Sequence, residues 1–379
     1  MKIGVVFGSR NVEHDVSITS AYGVMKALEK AGNYEIYPIY ISQNGKWIYN
    51  KDLSDINNFK NLAKFDDYTF EIDMCTRGKF AFSQSKKGLF GKKEKFELDV
   101  IFPVLHGLTG EDGTIQGLCE LLEVPYASPS VLGSAVGMNK TLMKQVFASY
   151  NFPQTKHLVY TKNDLNKQEI LKELQMPIFV KPANLGSSIG VSKVSLESDL
   201  DEAIELAFHY DNEIIVEEGV QNLKELNCSV REENGQIMTT FVEEPVTAGE
   251  FLDFQEKYTS TDGGTMQGVK AKVKIPAEIP DVRAHEIQEM TKKIYEVLKI
   301  NGGAPRIDFL YDSKADKFYV NEINTIPGAL QMHLWDKSGV KPAHLVTSLI
   351  DTAIAKSKER ELNIDFKSNI IDHTIAFQK

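Results

Sequence analysis

The opening residues restrict the fold more than any other stretch. Residues 2–8 are an apolar run that ends in Gly8. Beyond them Val16, Ile18, Ala21, Met25 and Leu28 recur at helical spacing, and Gly32 follows as a stop signal. Residues 34–41 are a second apolar run. Strand, helix, strand in that order predicts two parallel strands joined by a crossover helix. Sheets of this kind carry their ligands in the crevice at the strand C-terminal ends. The loop after the first strand is therefore the first place to look for chemistry. It holds Glu13 and His14, although a lone Glu near a helix start often only complements the helix dipole.

The rest of the chain reads as further units. Residues 99–105 predict another buried strand, followed by the polar loop 106–113, a helix carrying Ile115, Leu118, Leu121 and Leu122, and a short strand at 124–127. Residues 50–98 are less regular and read as an insertion. Near Ser130 a second unit begins, with a helix through Lys140 and Lys144, a strand at 157–160, a helix at 164–174, and strands at 177–181 and 214–218. After it come long antiparallel-looking strands, a loop near 248–268, a helix at 281–299, a hairpin and a helix at 340–356; the last residues form an unplaced tail. The expected fold class is α/β, passing to α+β in the C-terminal part. The expected divisions are 1–129, 130–216 and 217–379.

Composition bounds the setting. The chain has 379 residues with 42% hydrophobic and 25% charged, so more than one domain and a cleft between them are expected. No apolar run approaches the ~20 residues of a membrane span, and the N-terminus lacks a signal-peptide core. Cys75, Cys119 and Cys228 lie far apart without metal spacing and read as reduced thiols, so a cytoplasmic setting is expected. The net charge of −10 argues against a general nucleic-acid binder.

The hairpin is the most chemically explicit element. In Arg306-Ile307-Asp308-Phe309-Leu310, alternation puts Arg306 and Asp308 on one face. In Phe318-Tyr319-Val320-Asn321-Glu322-Ile323-Asn324 it puts Glu322 and Asn324 on one face, with Asn321 and Ile323 opposite. Paired, the strands bring an Asp, a Glu and an Asn oxygen together. Such an all-oxygen set suits Mg²⁺ that also touches phosphate. A hairpin with one solvated polar face is the plainer alternative.

Three loops add to it. Lys181 enters the small-residue loop 182–190, where Gly186, Ser187, Ser188 and Gly190 let backbone N–H groups face an anion; the pattern is not a Walker A loop. Glu217 and Glu218 end a buried run, where acceptors can read an adenine amino group or ribose hydroxyls, or simply be exposed. His106-Gly107-Leu108-Thr109-Gly110-Glu111-Asp112-Gly113-Thr114 sits where a ligand loop is expected, and Asp112 or Thr114 can also cap the next helix. Lys257 and Tyr258, before Gly263-Gly264, suit a lid that closes over phosphates.

In this order, FGSRNVEHDVSITSA, HGLTGEDGTIQGLCELLEVPY, VKPANLGSSIGV, EKYTS and RIDF…NEINTIPG resemble the D-alanine–D-alanine ligase family of the ATP-grasp superfamily, from Phe7 to about Gly328. The resemblance implies an N-terminal substrate domain and two further domains that grip ATP. It implies ATP-phosphate contacts from Lys140 and Lys181, with Glu217 and Glu225 near adenine and ribose. Ser188, Glu218 and Val220 are also expected at ATP, and Lys257 at the transferred phosphoryl group. Asp308, Glu322 and Asn324 are expected to hold two Mg²⁺, with Mn²⁺ as a substitute. Glu13 is expected to bind the ammonium of the first D-alanine beside His106, with Ser187 and Tyr258 linking loop and lid. Arg306 and the Gly328 N–H are expected to face the oxyanion. A homodimer is the oligomer that the resemblance implies.

One departure concerns the second substrate. After NEINTIPG the family usually places a Ser followed by Leu or Met, and here those positions read His333 and Leu334. Either His333 takes over the contact to the second D-alanine, or the second substrate differs, D-serine being one choice. In the first loop Ser9-Arg10-Asn11 replaces the usual Gly and Ser residues. Tyr258 matches ligases that form a peptide bond rather than a depsipeptide. The expected reaction joins two D-alanine molecules through an acyl phosphate for peptidoglycan precursors. A nucleotide-binding protein without catalysis is the competing class, disfavoured by the presence of Arg306. A dinucleotide dehydrogenase is disfavoured because the first loop lacks Gly-x-Gly-x-x-Gly.

Overall fold

The computed structural model describes residues 1–85, 93–246 and 272–359, together with 368, 370 and 371. The lid near 248–268, with Lys257 and Tyr258, lies outside the described residues, as does most of the tail.

Strand Lys2–Gly8 is buried from Ile3 onward because parallel neighbours flank it on both edges. Glu35–Ile41 lies on one side and Val100–Pro103 on the other, and Trp47–Tyr49 adds an antiparallel edge. A strand covered on both faces must be apolar throughout, which accounts for the unbroken run. Helix His14–Ala31 joins the first two strands and ends at Gly32, in left-handed conformation with its N–H on Leu28 O. At Gly8 (φ +94°) a Cβ would stand 2.2 Å from Ile41 O, so only glycine lets the chain leave the sheet there. The expected strand at 124–127 is reduced to one bridge, Tyr126 to Ile101. The stretch read as an insertion is more regular than expected. It forms short 3₁₀ turns and an antiparallel sheet of Phe70–Ile72, Phe80–Ser85 and Lys93–Leu98.

The helix expected through Lys140 and Lys144 is two helices, Val131–Met138 and Lys140–Ser149. Asn139 breaks them. Its backbone is extended, and its side chain accepts from Leu142 N at 2.7 Å, an N-cap that starts the second helix. Lys140 thereby sits in a helical first turn, with its own N–H on Ala183 O of the small-residue loop at 2.9 Å.

Beyond it, an antiparallel sheet in the order Ser192–Val194, Ile178–Pro182, Glu213–Glu218, His157–Thr161 is covered by helices Lys167–Glu173 and Leu200–Tyr210. A second antiparallel sheet runs Gln236–Thr239, Leu223–Glu233, Arg306–Asp312, Lys317–Asn324. Helix Asp281–Val297 packs on it, with Ile287, Ile294 and Tyr295 buried beside Leu226 and Phe309. The short strands Glu244–Val246 and Lys272–Lys274 pair as a stem for the intervening segment. Helices Met332–Lys337 and Pro342–Glu359 return to the first sheet, where Trp335, Leu345 and Leu349 share a core with Phe7, Ile18 and Met25. Both helical and strand layers are present, as the mixed class requires.

Candidate active site

The hairpin pairs Arg306 with Asn324, Ile307 with Ile323 and Asp308 with Glu322. Ile307, Phe309 and Tyr311 are buried while Arg306, Asp308 and Leu310 are half-buried, as alternation requires. One detail differs from the sequence reading. The register shifts after Asp308, so that Phe309 faces Val320 and Asn321 is left over as a bulge. Asn321 is half-buried and does not share the buried face of Ile323. The bulge lets Val320 stay in the core while Glu322 remains beside Asp308.

On the polar face the Arg306 guanidinium donates to both oxygens of Asp308, Nε to Oδ1 at 2.6 Å and an Nη to Oδ2 at 2.7 Å. Asn324 Nδ2 donates to Asp308 Oδ2 at 2.9 Å. Glu322 is met by the Lys140 ammonium at 3.2 Å. Two carboxylates and the Asn324 amide thus stand side by side, each carboxylate balanced by a protein cation, and the amide nitrogen is the atom turned toward Asp308. This hard donor set fits a divalent cation bound with phosphate. Among the described residues no group of three or more His, Cys, Asp and Glu side chains converges as a metal site, so phosphate or water would have to complete the coordination.

The Lys140 ammonium also donates to Leu185 O, so one side chain joins the hairpin to loop 182–190. Lys181, where that loop begins, pairs with Glu217. Glu217 is 2% exposed and also takes Lys144 at 3.0 Å and Thr155 Oγ1 at 2.9 Å. Burial alone would raise its pKa, but the ammonium groups of Lys144 and Lys181 overcome this and hold it far below the usual carboxylate range. Burial works against the charge of Lys181 as well. Glu217, Glu322 and Glu225 outweigh it and keep that ammonium protonated. Glu218, next in the chain, is half-buried and caps Gln175 N at 3.0 Å. Glu225 lies on strand Leu223–Glu233 opposite Leu310, and Val220 is half-buried in the turn between strands.

The first loop meets the same region. Glu13 stands at the start of helix His14–Ala31 yet makes no side-chain cap. Its carboxylate instead accepts from Ser187 Oγ of the small-residue loop. Ser187 and Ser188 are both left-handed, φ 55° and 59°, which folds that loop over the first one. A Cβ on Gly107 (φ +67°) would come within 2.5 Å of the Glu13 carboxylate, so the second loop can approach only because it carries glycine there. Burial raises the Glu13 pKa, and the nearby Glu111 adds to this; Ser187, His106 and Lys140 oppose it. Burial lowers the pKa of His106, with Glu13 opposing.

Four residues that the sequence reading left without a site role belong here. Glu111 accepts from Gly107 N at 2.9 Å and from Ile326 N at 2.8 Å, tying the second loop to the segment before Gly328. Burial raises its pKa despite those donors. Ser20 takes His106 Nε2 at 2.8 Å and Ala329 N at 3.0 Å, so one hydroxyl links the expected substrate loop to the expected oxyanion turn. Lys144 is the second cation on Glu217. Glu243 accepts from His333 Nε2 at 2.5 Å. Ser20 stood only inside the quoted first motif and Lys144 only on a predicted helix, and nothing local marked Glu243. Glu111 stood in the quoted loop, where Asp112 attracted attention as a cap; Asp112 does hold Thr114 N, at 2.9 Å.

The turn after Gly328 is unusual. Ala329, Leu330 and Gln331 are all left-handed without being glycine, with φ between 45° and 53°. Such backbone is sparsely populated and persists where surrounding contacts impose it. His333, one turn on, is partly exposed, whereas Leu334 is fully buried.

Residues 2–129 match the family model described as D-ala D-ala ligase N-terminus, and residues 142–351 that described as D-ala D-ala ligase C-terminus. The chain is 37% identical over 369 residues to the D-alanine–D-alanine ligase of Thermoanaerobacter sp. (strain X514), covering 95% of this chain and 98% of that one. Among solved structures it is similar to the D-alanine-D-alanine ligase from Coxiella burnetii, with TM-score 0.79 and 26% identity over 100% of this chain and 99% of the other. It is also similar to the VanG D-Ala:D-Ser ligase from Enterococcus faecalis, with TM-score 0.77 and 29% identity over 93% of this chain and 99% of that one.

Proposed function

This chain belongs to the D-alanine–D-alanine ligase family, and on that premise we propose that it joins two D-alanine molecules at the expense of ATP, supplying a peptidoglycan precursor. The observation that carries this reading is the position of Lys140. Its ammonium touches both Leu185 O of the phosphate-type loop and Glu322 of the metal-type hairpin, while Glu13 of the substrate-type loop is tied to Ser187 in the same phosphate-type loop.

A carboxylate and an amine do not condense in water unaided, so the carboxylate of the first D-alanine is phosphorylated before the second amine attacks. Phosphoryl transfer needs mainly positioning and charge neutralisation. Lys140 and Lys181 hold phosphate oxygens, with Ser188 N–H and hydroxyl donors beside them. Glu217, Glu218, Val220 and Glu225 line the nucleotide; Glu217 acts by fixing Lys181 and Lys144. Two Mg²⁺, or Mn²⁺ in their place, would be held by Asp308, Glu322 and Asn324 and would neutralise the transferring phosphoryl group. Glu13 receives the ammonium of the first D-alanine, beside His106. Arg306 and the Gly328 N–H stabilise the oxyanion that forms when the second amine adds. Lys257 and Tyr258, which lie outside the described residues, are the lid groups that would exclude water from the acyl phosphate. His333 and Leu334 border the second amino acid.

We further propose three domains divided near 130 and 217, a homodimer, and a cytoplasmic setting; no helix among the described residues is long and apolar enough to cross a membrane. The test is ATP-dependent ADP release across a panel of D- and L-amino acids, with each product identified by mass. D-alanine should give ADP and D-alanyl-D-alanine; no ADP and no dipeptide would sink the assignment. His333 favours a second reading in which the acceptor differs. That reading stands if a mixed product with D-serine outpaces the D-alanine homodipeptide.

A further inference from the structure

Glu243 is 3% exposed and belongs to no motif of the ligase reading. Its carboxylate meets His333 Nε2 at 2.5 Å, and its other oxygen lies 3.4 Å from the Asn227 side-chain amide. Among the described residues no Lys or Arg side chain pairs with it, so the His333 ring is its one basic partner. A carboxylate buried this deeply needs such a donor. Its backbone is fixed too, since Glu243 N and O bond Asn227 O and N, both at 2.8 Å. Asn227 in turn sits opposite Asp308 in the sheet. Glu243 is thus anchored beside the hairpin, one residue before the stem strand Glu244–Val246.

With the Glu243 carboxylate as acceptor, Nε2 of His333 carries the hydrogen and is spent on Glu243. The side chain is still 31% exposed, and Nδ1 has no hydrogen-bond partner among the described residues. Where the family places a short Ser hydroxyl that rotates freely, this chain has a longer ring whose orientation is set from outside its own helix. A fixed ring selects between ligands more sharply than a free one, because its orientation is settled before binding.

We propose that Glu243 is a positioning residue for the second amino acid. It locks His333 so that the free edge of the ring contacts the acceptor substrate, and the Glu243–His333 pair sets acceptor preference in this chain. The proposal rests on the ligase reading, since it assumes a second substrate at His333. Glu243 itself touches no substrate and acts only through the ring.

The experiment measures initial rates with D-alanine, resolving the KM values of the two amino-acid sites, for the wild type, Glu243→Gln, His333→Ser and the double variant. Losing the ring's charged partner should raise the second-site KM about tenfold, as expected for one hydrogen bond to a charged group. First-site KM and ATP KM should stay within about twofold. In the His333→Ser background Glu243→Gln should add nothing further, because the ring through which it acts is gone. His333→Ser should also change the ratio of D-alanine to D-serine incorporation. Should Glu243→Gln fail to accumulate as folded protein, Glu243→Asp shortens the reach and should give the same KM split. Equal losses at both sites, or fully additive effects in the double variant, overturn the positioning role. An active wild type whose second-site KM ignores both Glu243 variants overturns this proposal alone; a wild type that releases no ADP with any amino acid overturns the ligase reading and this proposal with it.

Discussion

Glu13 is buried beside another carboxylate, and these two effects outweigh Ser187, His106 and Lys140 in how its charge responds to pH. Burial, and then Glu111, raise its pKa above the ordinary 4.5. A carboxyl with a raised folded pKa contributes stability that is fully present below its unfolded value and lost as pH rises through the folded value. At neutral pH its ionised form is therefore a burden on the fold, one that the ammonium of the proposed substrate would relieve. Two results are expected. The KM for the first D-alanine should rise on acidification with a midpoint above 4.5, and Glu13→Gln should bind weakly with no such pH dependence. Denaturant titration of unliganded Glu13→Gln at neutral pH should show stability equal to or above wild type. A midpoint at or below the ordinary carboxylate value would mean that Glu13 is solvated rather than held under the loops. Glu217 titrates in the opposite sense, because Lys144 and Lys181 depress it against the effect of burial. Its stabilising contribution is present at neutral pH and is lost as pH falls below its ordinary value. The Glu13 loop was legible in the sequence as a place for chemistry because it follows a parallel strand. Glu111 and Glu243 were not, since their meaning lies in partners brought close only by tertiary packing.

At the scale of the element, the hairpin is the piece whose polar face carries the proposed metal site. Ile307, Phe309 and Tyr311 are buried against Leu226, Val320 and Ile323, and this burial holds Arg306 and Asp308 on the other side. Phe309 is 1% exposed, with its ring centroid 5.8 Å from that of Phe318. Phe309→Ala should cost about 3–5 kcal/mol in urea denaturation, through lost apolar burial and the cavity left behind. A loss below ~1 kcal/mol would show that the hairpin does not pack through this face. On the first strand alternation alone separated Arg306 and Asp308 from the core-facing residues, because a strand has a fixed period of two. It missed the bulge at Asn321, although the step of three from Val320 to Ile323 was its visible trace. The break at Asn139 is harder to read. No Pro or Gly stands there, and Asn ends one helix only because its side chain caps the next and its amide reaches Asn184 Oδ1 at 2.8 Å.

Over the whole molecule, the distribution of cores determines what can move. Strand Lys2–Gly8 and helix His14–Ala31 share one core with Ile326, Leu330, Trp335 and the helix Pro342–Glu359. The sheet of Ile178–Pro182 and Glu213–Glu218 has its own, built on Val180, Ile204 and Val216. Polar contacts tie that sheet to its surroundings at the site: Glu13 with Ser187, Lys140 with Leu185, and Lys144 with Glu217. Separating the first sheet from the C-terminal helix exposes apolar surface, whereas moving the central sheet exchanges polar contacts that water can replace. The Glu13 loop and the turn after Gly328 therefore share one wall, also pinned through Ser20, and in the proposed function the central sheet is the part that would open for ATP. Leu349, 1% exposed in the shared core, separates the two behaviours. Leu349→Ala should cost ~2–5 kcal/mol, and hydrogen exchange should accelerate in Lys2–Gly8 and Pro342–Glu359 together. Amides of Ile178–Pro182 and Glu213–Glu218 should keep their wild-type protection, because their core is untouched. If exchange rises in the C-terminal helix alone, that helix is only an appendage and the wall is not one body. If it rises equally in all four segments, the molecule unfolds as a single unit, and opening of the central sheet must then break apolar as well as polar contacts.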